Sequence, residues 1–452
     1  MTADGSRPGL DADARQRLIA QARQRPTPLR AVPTPAPVRA TPFDRLPDYD
    51  TLTKMRAVGA MMGVANPFYR SHDGRASATS VIDGVEVINF ASYDYLGLNA
   101  DPRPAAAAHV AIDTYGVSPS ASRLVAGERP VHGALERALA RHYRTDAAVV
   151  FVSGHATNVA TIGELMGEGD LILHDSLIHN SVMVGAKLSG ASRRSFAHND
   201  LGALARLLAE NRSQYRNALV VVEGLYSMDG DIAPLPGLIA LKKQYGFWLM
   251  VDEAHSLGSI GATGLGSFEA FGIDPSDVDI WMGTLSKTLG STGGYVAGST
   301  ALVDLLKAQA SGFVYSVGLA PAMAAAALTA LDILHAEPDR AATLQSNAQL
   351  FLDLAAKAGL DTGTAIASAV IPVMVGDSLL AAKLSERLLA RGLNALPIIY
   401  PAVPMQSARL RFFITSAHSP AQIEAAVRIT KEERDRLLAE GFGCDLSKMM
   451  DL

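Results

Sequence analysis

Short apolar runs alternate with longer helical runs between residues 101 and about 335, and this alternation constrains the fold more than any other feature of the sequence. It predicts a mostly parallel sheet that is covered by helices on both faces. The predicted helices between the strands include Val131–His142, Leu201–Asn211 and Leu235–Tyr245. The seven predicted strands are Ala147–Val152, Leu171–His174, Arg193–Phe196, Leu219–Glu223, Phe247–Val251, Ile280–Met282 and Tyr295–Gly298.

The remainder of the chain predicts smaller units around this large domain. Two short strands, Ala78–Ile82 and Val85–Asn89, are joined by an Asp-Gly turn. After the helical run Ala320–His335, helices mix with predicted strands at Ala369–Val375 and Leu410–Thr415. We therefore predict an α/β protein with an N-terminal segment (48–100), a large domain (101–335), a small C-terminal α+β domain (336–440) and a tail (441–452).

Residues 1–47 differ in composition from all that follows. A short helix is compatible with Leu10–Arg25, and seven prolines then lie between Pro26 and Pro47. The segment holds eight arginines against four aspartates, so it is basic on an acidic protein. We predict a Pro/Arg-rich disordered arm, and a docking role for an acidic partner stays open beside it.

The charge balance and the single cysteine exclude several functional classes. The net charge of −5 offers no field that would attract nucleic acid, and one cysteine, Cys444, allows neither a disulfide framework nor a cysteine-based metal site. No apolar run approaches the roughly 18 residues of a membrane-spanning helix. We expect a cytoplasmic protein with no metal, no nucleic-acid partner and no transmembrane segment.

Lys287 carries the strongest chemical signal in the chain. It follows the apolar run Val278–Met282 and stands among hydroxyl and glycine residues in the segment Gly283–Gly290. Hydroxyls and unhindered backbone amides bind phosphate, and an amine beside them can form an imine with an aldehyde. The alternative is a solvated lysine in a surface loop. The nucleotide-binding motif Gly-x-x-x-x-Gly-Lys-Ser/Thr is absent.

Asp252 ends the apolar run Phe247–Val251, where an unpaired carboxylate would be costly to bury. A protonated pyridine nitrogen would pair with this carboxylate and would keep its ring able to accept electrons. Asp252 and Lys287 therefore predict the two ends of a pyridoxal phosphate site, with His255 close enough to reach the ring hydroxyl. The alternatives are a helix N-cap or a structural ion pair for Asp252, and a structural role for His255.

Other predicted strands also end in polar clusters. Ser153-Gly154-His155 combines a glycine turn with a helix start, which is typical of an anion site. His179 follows another strand and could lie flat on a cofactor ring, and Ser227 lies in the polar segment after a third. Because the carboxyl ends of parallel strands meet at one edge of a sheet, these clusters predict a shared cleft.

Arg409 and Arg411 lie two residues apart in a predicted C-terminal strand and therefore on one face of it. One guanidinium could bind a substrate carboxylate through two parallel hydrogen bonds, whereas the alternative is two solvent-facing arginines. The His-Glu-x-x-His metal motif and the Gly-x-Ser-x-Gly hydrolase motif are absent.

Taken together, these motifs resemble those of the α-oxoamine synthases, fold-type I pyridoxal phosphate enzymes that include serine palmitoyltransferase and 8-amino-7-oxononanoate synthase. The resemblance covers about residues 50–435. The Tyr93 position favours the serine palmitoyltransferase branch, and the N-terminal arm is similar to that of polyketide-pathway members that take acyl groups from a carrier protein. The motifs are Ser92–Leu98, Ser153–His155, Ile178–Ser181, Glu223–Gly230, Val251–His255, Gly283–Lys287 and Arg409–Arg411.

This resemblance implies a role for each matched residue around the cofactor. Lys287 would be the Schiff-base lysine, Asp252 the partner of the ring nitrogen and His255 the partner of the ring oxygen. His179 would stack on the ring. The remaining cofactor-binding residues would be Ser153, Gly154, His155, Ser227 and Thr284.

The resemblance also implies substrate and subunit contacts. Arg411 would bind the amino-acid carboxylate and Tyr93 would lie at the substrate. The family forms dimers with shared active sites, so Ser316 of one subunit would approach the phosphate in the other. His155 is a departure, since better-known members carry Phe or Tyr there, which leaves the ring contact at this position open.

The implied reaction is a decarboxylative Claisen-type condensation of serine, alanine or glycine with an acyl thioester, which yields an α-amino ketone, carbon dioxide and a free thiol. The donor is an acyl-coenzyme A or an acyl carrier protein. Two alternatives remain at the level of sequence: an aminotransferase or decarboxylase of the same fold, and a regulatory subunit of a synthase heterodimer. The subunit reading is weakened because such subunits typically lose the lysine that Lys287 provides.

Overall fold

A seven-stranded sheet forms the centre of the protein in the computed structural model, which describes residues 11–23 and 40–442. The strand order is β3-β9-β8-β7-β6-β4-β5, and β9 alone runs against the other six. The strands are β3 (Ala147–Phe151), β4 (Leu171–Asp175), β5 (Ser192–Phe196), β6 (Ala218–Glu223), β7 (Trp248–Asp252), β8 (Ile280–Thr284) and β9 (Gly294–Gly298).

The predicted seven-stranded, mostly parallel sheet is confirmed, and the strand ends differ from the prediction by one or two residues. Asp175, Asp252 and Thr284 still belong to their strands, although each is polar. Their backbones continue the ladder, as in the pair Asp252↔Met282. Polar side chains therefore begin within the sheet edge itself rather than one residue beyond it.

Helices cover both faces of this sheet, as the alternating pattern predicts. Their starts are encoded locally: the side chain of Asp200 accepts a hydrogen bond from Ala203 N at 2.8 Å before Leu201–Asn211. The helices from this part of the chain are α3 (Pro102–Tyr115), α4 (Pro130–His142), α5 (Gly154–Leu165), α6 (Asn180–Ser189), α7 (Leu201–Asn211), α8 (Leu235–Tyr245), α9 (Ser267–Phe271), α10 (Thr300–Gln309), α11 (Ser311–Val314) and α12 (Pro321–Ala336).

Alternate residues of each central strand enter separate hydrophobic clusters on the two faces of the sheet. Val220 and Leu249 belong to one cluster, whereas Leu219, Val221 and Met250 belong to the other. A strand buried on both faces reads as a continuous apolar run, which is why the sequence predicts these strands so well.

Two small sheets complete the fold. One has the order β1-β2-β11 and the other β10-β13-β12, and in the latter Pro372 pairs with Arg411. The strands β11 and β12 are too short to produce a sequence pattern, and they were not predicted. The elements are β1 (Thr79–Ile82), β2 (Val85–Asn89), β10 (Val370–Gly376), β11 (Leu393–Asn394), β12 (Leu396–Ile398), β13 (Ala408–Phe413), α13 (Asp339–Lys357), α14 (Ser378–Ala390) and α15 (Pro420–Ala439).

The N-terminal region contains two described helices, α1 (Ala12–Arg23) and α2 (Pro47–Met61). The helix expected within Leu10–Arg25 therefore forms, so the arm is not disordered throughout; its proline-rich residues 24–39 lie outside the described part. By its internal contacts the chain divides after Val58 into two units. The finer division into domains stays a prediction, and most of the tail also lies outside the described residues.

Within residues 11–23 and 40–442, no helix has the length and apolar composition needed to cross a membrane. The same residues contain no group of three or more His, Cys, Asp and Glu side chains placed to hold a metal ion.

Candidate active site

The carboxyl ends of β4, β6, β7 and β8 lie side by side, and each delivers polar residues to one cleft. Parallel pairing places Glu223, the last residue of β6, opposite Asp252, the last residue of β7. Asp252 is in turn paired with Met282 of β8, two residues before Thr284. The sheet therefore brings together segments that are far apart in sequence, as expected for an open α/β sheet.

Asp252 is buried, and its described hydrogen bonds come from neutral groups. Asn158 Nδ2 donates to Oδ2 at 2.8 Å, and Ala254 N donates to Oδ1 at 3.0 Å. The same Asn158 amide donates to Ser181 Oγ at 2.9 Å. A buried carboxylate held only by neutral donors is suited to a cationic ligand, because a charge partner would offset its loss of hydration.

Lys287 lies partly buried beyond β8, with its Nζ 5.7 Å from the centre of the Tyr93 ring. Burial lowers the pKa of Lys287 to about 8; the negative charges of Asp252 and Glu223 oppose this shift, and Arg411 adds to it. About a tenth of this amine is thus unprotonated at pH 7, far more than for an ordinary lysine, and the unprotonated amine is the form that attacks a carbonyl group.

His255 is buried beside Tyr95, a residue of the motif Ser92–Leu98 for which the sequence alone predicts no role. Tyr95 Oη and His255 Nδ1 are 2.7 Å apart, and Tyr95 has no exposed surface. Burial lowers the pKa of His255, and the positive charges of Lys287 and Arg411 lower it further. The imidazole is therefore neutral, and its tautomer is coupled to the Tyr95 hydroxyl.

His179 stands at the N-terminus of α6, where its side chain caps the helix. Its Nδ1 lies 2.7 Å from Ser181 Oγ, and Asn158 holds the same hydroxyl. Removal from water lowers the pKa of His179, while the charge of Asp252 raises it. The His155 ring lies 6.4 Å away, close to perpendicular. Asn158 therefore orients Asp252 and His179 together.

The start of α5 packs directly against the end of β8. A Cβ atom on Gly154 would lie 2.7 Å from Thr284 Oγ1, so this approach requires glycine. Thr284 Oγ1 is 2.8 Å from Ser286 Oγ, and Ser153 caps the helix. The first N–H groups of a helix have no partner within it and attract anions, so two hydroxyls and a helix start form a candidate phosphate site.

The two arginines of β13 have different environments despite their shared face. Arg409 is buried and forms an ion pair with Asp229 at 2.6 Å. Arg411 is only partly buried; its Nη1 donates to Ser227 O at 2.9 Å, and its Nε has no hydrogen-bond partner. Arg411 therefore retains donors for a ligand, whereas the guanidinium of Arg409 is already engaged.

Glu223 is a buried acid in the motif Glu223–Gly230, and the sequence alone predicts no role for it. Its Oε2 accepts from Ser227 N at 3.1 Å, and its Oε1 has no partner. Burial and the neighbouring charge of Asp252 together raise the pKa of Glu223 to about 8, against the opposing charge of Lys287. Only the tertiary pairing of β6 with β7 reveals this acid beside Asp252.

A cavity of about 390 Å³ opens next to Lys287. Its lining includes Tyr93, Ser92, Asp94 and Ser286. Tyr93 is 40% exposed and packs edge-on against Phe413 at 4.8 Å. A small substrate would therefore meet Tyr93 and Lys287 together.

Ser316 is the predicted site residue with no described contact to this cleft. It lies in the segment after α11, between the exposed side chains of Tyr315 and Val317. Because its expected role involves a second subunit, its position in one chain leaves that role a prediction.

The sequence of this chain is similar to a family of known proteins and to curated relatives. A family model described as aminotransferase class I and II matches residues 85–429. An 8-amino-7-oxononanoate synthase from Symbiobacterium thermophilum is 42% identical over 348 residues, which cover 77% of this chain and 88% of the relative. The corresponding synthase from Geobacter sulfurreducens is 43% identical over 369 residues, or 80% and 94% of the two chains.

Serine palmitoyltransferases are among the solved structures of similar fold. The enzyme from S. paucimobilis with bound PLP and myriocin has a TM-score of 0.84 and 31% identity, and the match covers 88% of this chain and 100% of that one. The Sphingomonas wittichii enzyme has a TM-score of 0.83 and 33% identity, with coverage of 89% and 100%. Among these relatives, the sequence matches and the structural matches therefore bear different names.

Proposed function

The chain belongs to the α-oxoamine synthases, within the aminotransferase class I and II family, and from this membership we propose how its cleft performs their reaction. The enzyme uses pyridoxal phosphate to condense an amino acid with an acyl thioester, with loss of carbon dioxide. Bound pyridoxal phosphate supplies an aldehyde for the amine and a ring that accepts the electron pair left on the α-carbon. The roles of individual residues are our assignment.

The described side chains fit this cofactor at both of its ends. Asp252 is a buried carboxylate with only neutral donors, which matches a protonated ring nitrogen. The helix start at Gly154, with Thr284 and Ser286, matches the phosphate group. His179 would cover one face of the ring, and neutral His255, held by Tyr95, would contact the ring oxygen.

Lys287 carries the chemistry in this proposal. Its amine would hold bound pyridoxal phosphate through the cofactor aldehyde, and an arriving amino acid would free that amine. The freed amine, whose pKa is about 8, then removes the α-proton of the amino acid. A base with a pKa close to the working pH is efficient in both directions of proton transfer, so the same amine can return the proton at the end.

Arg411 binds the carboxylate of the amino acid in this assignment. Its Nε is unpartnered, and Ser227 O holds the guanidinium from the other side. Arg409 cannot share this task while it is paired with Asp229. Tyr93 borders the remaining space beside Lys287, where the side chain of the amino acid or the acyl group would lie.

The two alternative activities receive no support from the relatives. The matched proteins are synthases and palmitoyltransferases, and none of those named above is an aminotransferase or a decarboxylase. The regulatory-subunit reading is opposed by Lys287, Asp252 and His255, which are all present and adjacent in one cleft.

We further propose that the enzyme works as a homodimer. Large apolar side chains are exposed on two neighbouring segments, which are joined by the hydrogen bond from Gly318 N to Ala121 O at 3.1 Å. Tyr315 is 85% exposed and Val125 is 82% exposed. A second copy would cover this surface and place its Ser316 near the phosphate site. Sedimentation of the purified protein as a monomer would contradict this proposal.

An acyl carrier protein is the proposed acyl donor, and the basic arm supports it. Helix α1 carries Arg15, Arg17 and Arg23 against one acid, Asp13. An acidic carrier protein would be attracted by this charge. Deletion of residues 1–47 should slow the reaction with a carrier-bound acyl group and leave the rate with the coenzyme A thioester unchanged. If deletion left the rate with the carrier-bound acyl group unchanged, this proposal would be contradicted.

The convergence of Lys287, Asp252 and Arg411 in one cleft carries the proposed function. It is tested by titrating the pyridoxal phosphate-loaded enzyme with serine, alanine and glycine while recording visible absorbance. One of the three should change the spectrum, and carbon dioxide and free thiol should appear only when an acyl thioester is also present. Release of carbon dioxide from the amino acid alone would favour a decarboxylase.

A further inference from the structure

Behind the cleft, a single histidine lies between two buried carboxylates. His198, two residues after β5, places Nδ1 2.9 Å from Asp175 Oδ1 and Nε2 2.9 Å from Asp231 Oδ2. A carboxylate accepts hydrogen bonds, so both ring nitrogens must donate, and an imidazole that donates from both nitrogens is protonated. The two carboxylate contacts therefore favour an imidazolium ion at His198, and Asn199 Nδ2 lies 3.3 Å from the same Nε2.

The electrostatics of the cluster agree with this geometry. Burial by itself would lower the pKa of His198, but the hydrogen bonds and charges of Asp175 and Asp231 outweigh it and raise the pKa to about 10. Tyr226 packs edge-on against the ring at 4.5 Å and stays neutral, because burial raises the pKa of its hydroxyl. His198 is thus charged throughout the physiological range.

The two carboxylates belong to two different turns, and each turn carries a residue of the proposed active site. Asp175 Oδ1 also accepts from Leu177 N at 2.8 Å, which shapes the turn that leads to His179. Asp231 closes the turn after β6, where Tyr226 N donates to Asp231 O at 2.8 Å. That turn contains Ser227, whose carbonyl oxygen holds Arg411.

Strand pairing does not reach these turns. The ladder between β4 and β6 ends at the pair His174↔Val221, before Asp175 and before Glu223. Beyond this pair no ladder contact joins β4 to β6, and His198 bridges the two turns. Its neighbour Asn199 adds a second link, because its N–H donates to Asp175 Oδ2 at 2.9 Å and its Nδ2 donates to Ile232 O at 3.1 Å. Thr364 Oγ1 donates to Asp231 Oδ2 at 3.0 Å from the segment before β10, so the bridge also reaches the part of the chain that carries Arg411.

We propose that His198 is a positioning residue of the active site, whose imidazolium holds the His179 turn and the Ser227 turn at a fixed separation. It touches neither cofactor nor substrate. The proposal rests on the proposed function, because it assigns His179 to the cofactor ring and Arg411, through Ser227, to the amino-acid carboxylate. Loss of the bridge should therefore weaken the binding of both ligands.

The test compares His198→Gln with a matched control on the same two strands. Asp170 lies just before β4 and binds Arg216, just before β6, at 2.7 Å, so this ion pair joins the opposite ends of β4 and β6. Both His198→Gln and Asp170→Asn should lower stability. Only His198→Gln should weaken amino-acid binding in the spectral titration, by roughly ten- to a hundredfold, and raise the dissociation constant of pyridoxal phosphate.

A second variant guards against misfolding of the first. Asp231→Asn keeps His198 paired with Asp175 and replaces the second carboxylate by a neutral amide, so its effect should have the same direction and be smaller. The double variant His198→Gln/Asp231→Asn should lose less than the combined single effects, because both changes remove the same link. Additive effects would contradict the bridge.

Amide hydrogen exchange of the full-length chain provides a readout that does not depend on activity. His198→Gln should raise exchange in residues 175–179 and 224–231 together, whereas Asp170→Asn should leave both turns protected. Unchanged exchange and ligand affinity in His198→Gln would overturn the proposal. Failure of the wild-type enzyme to bind pyridoxal phosphate would instead contradict the proposed function, and the exchange result would still decide the role of His198.

Discussion

The charged residues at the two edges of the central sheet, where its parallel strands begin and where they end, differ in how they are paired. At the N-terminal edge, acids and bases neutralise one another: Asp170 pairs with Arg216, and Asp279 pairs with Lys242, each at 2.7 Å. At the C-terminal edge, Lys287 has a lowered pKa and Glu223 has an unpartnered oxygen. Arg411 of β13, in one of the small sheets, lies close enough to affect Lys287 and has an unpartnered nitrogen. The same strands therefore have one edge that stabilises the fold and one edge prepared for a ligand.

The difference indicates that a functional edge of a sheet is marked by polar groups that have no partner within the protein. Buried polar groups are normally satisfied within the protein, so a concentration of unsatisfied ones has a cost that a ligand must offset. Substitutions among the unsatisfied groups should therefore impair ligand binding or turnover, whereas substitutions among the paired groups should impair stability.

Lys287→Ala should have the largest effect, because it removes both the attachment point of the cofactor and the proposed base. Turnover should fall by roughly 10⁴-fold or more, and the visible absorbance of the lysine-linked cofactor should disappear. Absorption spectra and product assays check this. A coloured, active variant would show that the base lies elsewhere in the cleft.

Asp252→Asn should weaken cofactor binding by about 3 kcal/mol, since it leaves a protonated ring nitrogen without its anion in a buried position. That corresponds to roughly a hundredfold rise in the dissociation constant of pyridoxal phosphate. Equilibrium dialysis measures the effect. Asn158→Ala, which removes only a neutral donor to Asp252, should change the constant less; the reverse order would contradict the charge assignment.

Arg411→Lys should raise KM for the amino acid by roughly tenfold or more, because a lysine cannot reproduce the two parallel hydrogen bonds of a guanidinium. Initial-rate kinetics with the preferred amino acid would measure this, and cofactor affinity should not change. Arg409→Lys is the matched comparison on the same strand. It should lower the free energy of unfolding and should raise KM less than Arg411→Lys does. Equal increases in KM for the two variants would mean that both arginines bind the carboxylate.

The rate at which the cofactor-free protein captures pyridoxal phosphate should rise with pH between 7 and 9. Because burial lowers the pKa of Lys287 to about 8, the reactive amine gains roughly tenfold in population over this range. Stopped-flow absorbance measures the rate. A midpoint close to 10.5, the ordinary lysine value, would show that the cleft does not perturb this amine.

Asp170→Asn, at the opposite edge, should leave KM and cofactor affinity unchanged and cost about 1–3 kcal/mol of stability through the loss of buried hydrogen bonds. Burial opposes ionisation of this carboxyl, but hydrogen bonds from Arg216 and nearby N–H groups outweigh it and lower its pKa. Its contribution is therefore present above the ordinary aspartate pKa of about 3.9 and is lost as the pH falls through the lower, folded-state value. Urea unfolding at pH 7 and in acid should show the difference between wild type and variant shrinking at low pH.

The sequence prediction succeeded where the signal is local and periodic. The seven strands and their helices follow from apolar runs and caps such as Asp200, and strand ends differ by at most two residues. The family and the cofactor were also predictable, because Asp252, His255 and Lys287 lie in short ordered motifs. The relatives confirm both the family and the reaction. The predicted roles of single residues have not been tested and remain proposals.

The prediction was incomplete where a role depends on partners that are distant in the chain. Asn158 lies 94 residues before Asp252, the carboxylate it orients. Glu223 becomes notable only when β6 pairs with β7. Arg409 and Arg411 cannot be told apart by their alternating positions in the sequence. They differ in the structure because Arg409 binds Asp229, which lies 180 residues earlier in the chain.

The succession of strands and helices along the chain, the cofactor and the class of reaction are each encoded in residues that lie close together in the sequence. Which charged groups remain available to a ligand depends instead on the folded arrangement. Arg411 and Glu223 each have a polar atom without a hydrogen-bond partner, and the Lys287 amine has a lowered pKa. Arg409, His198 and Asp170 are instead held in ion pairs, because the folded arrangement determines their neighbours. The physical reason is that hydrogen bonds and ion pairs act over a few ångströms, and the chain alone does not specify which distant segments come within that distance.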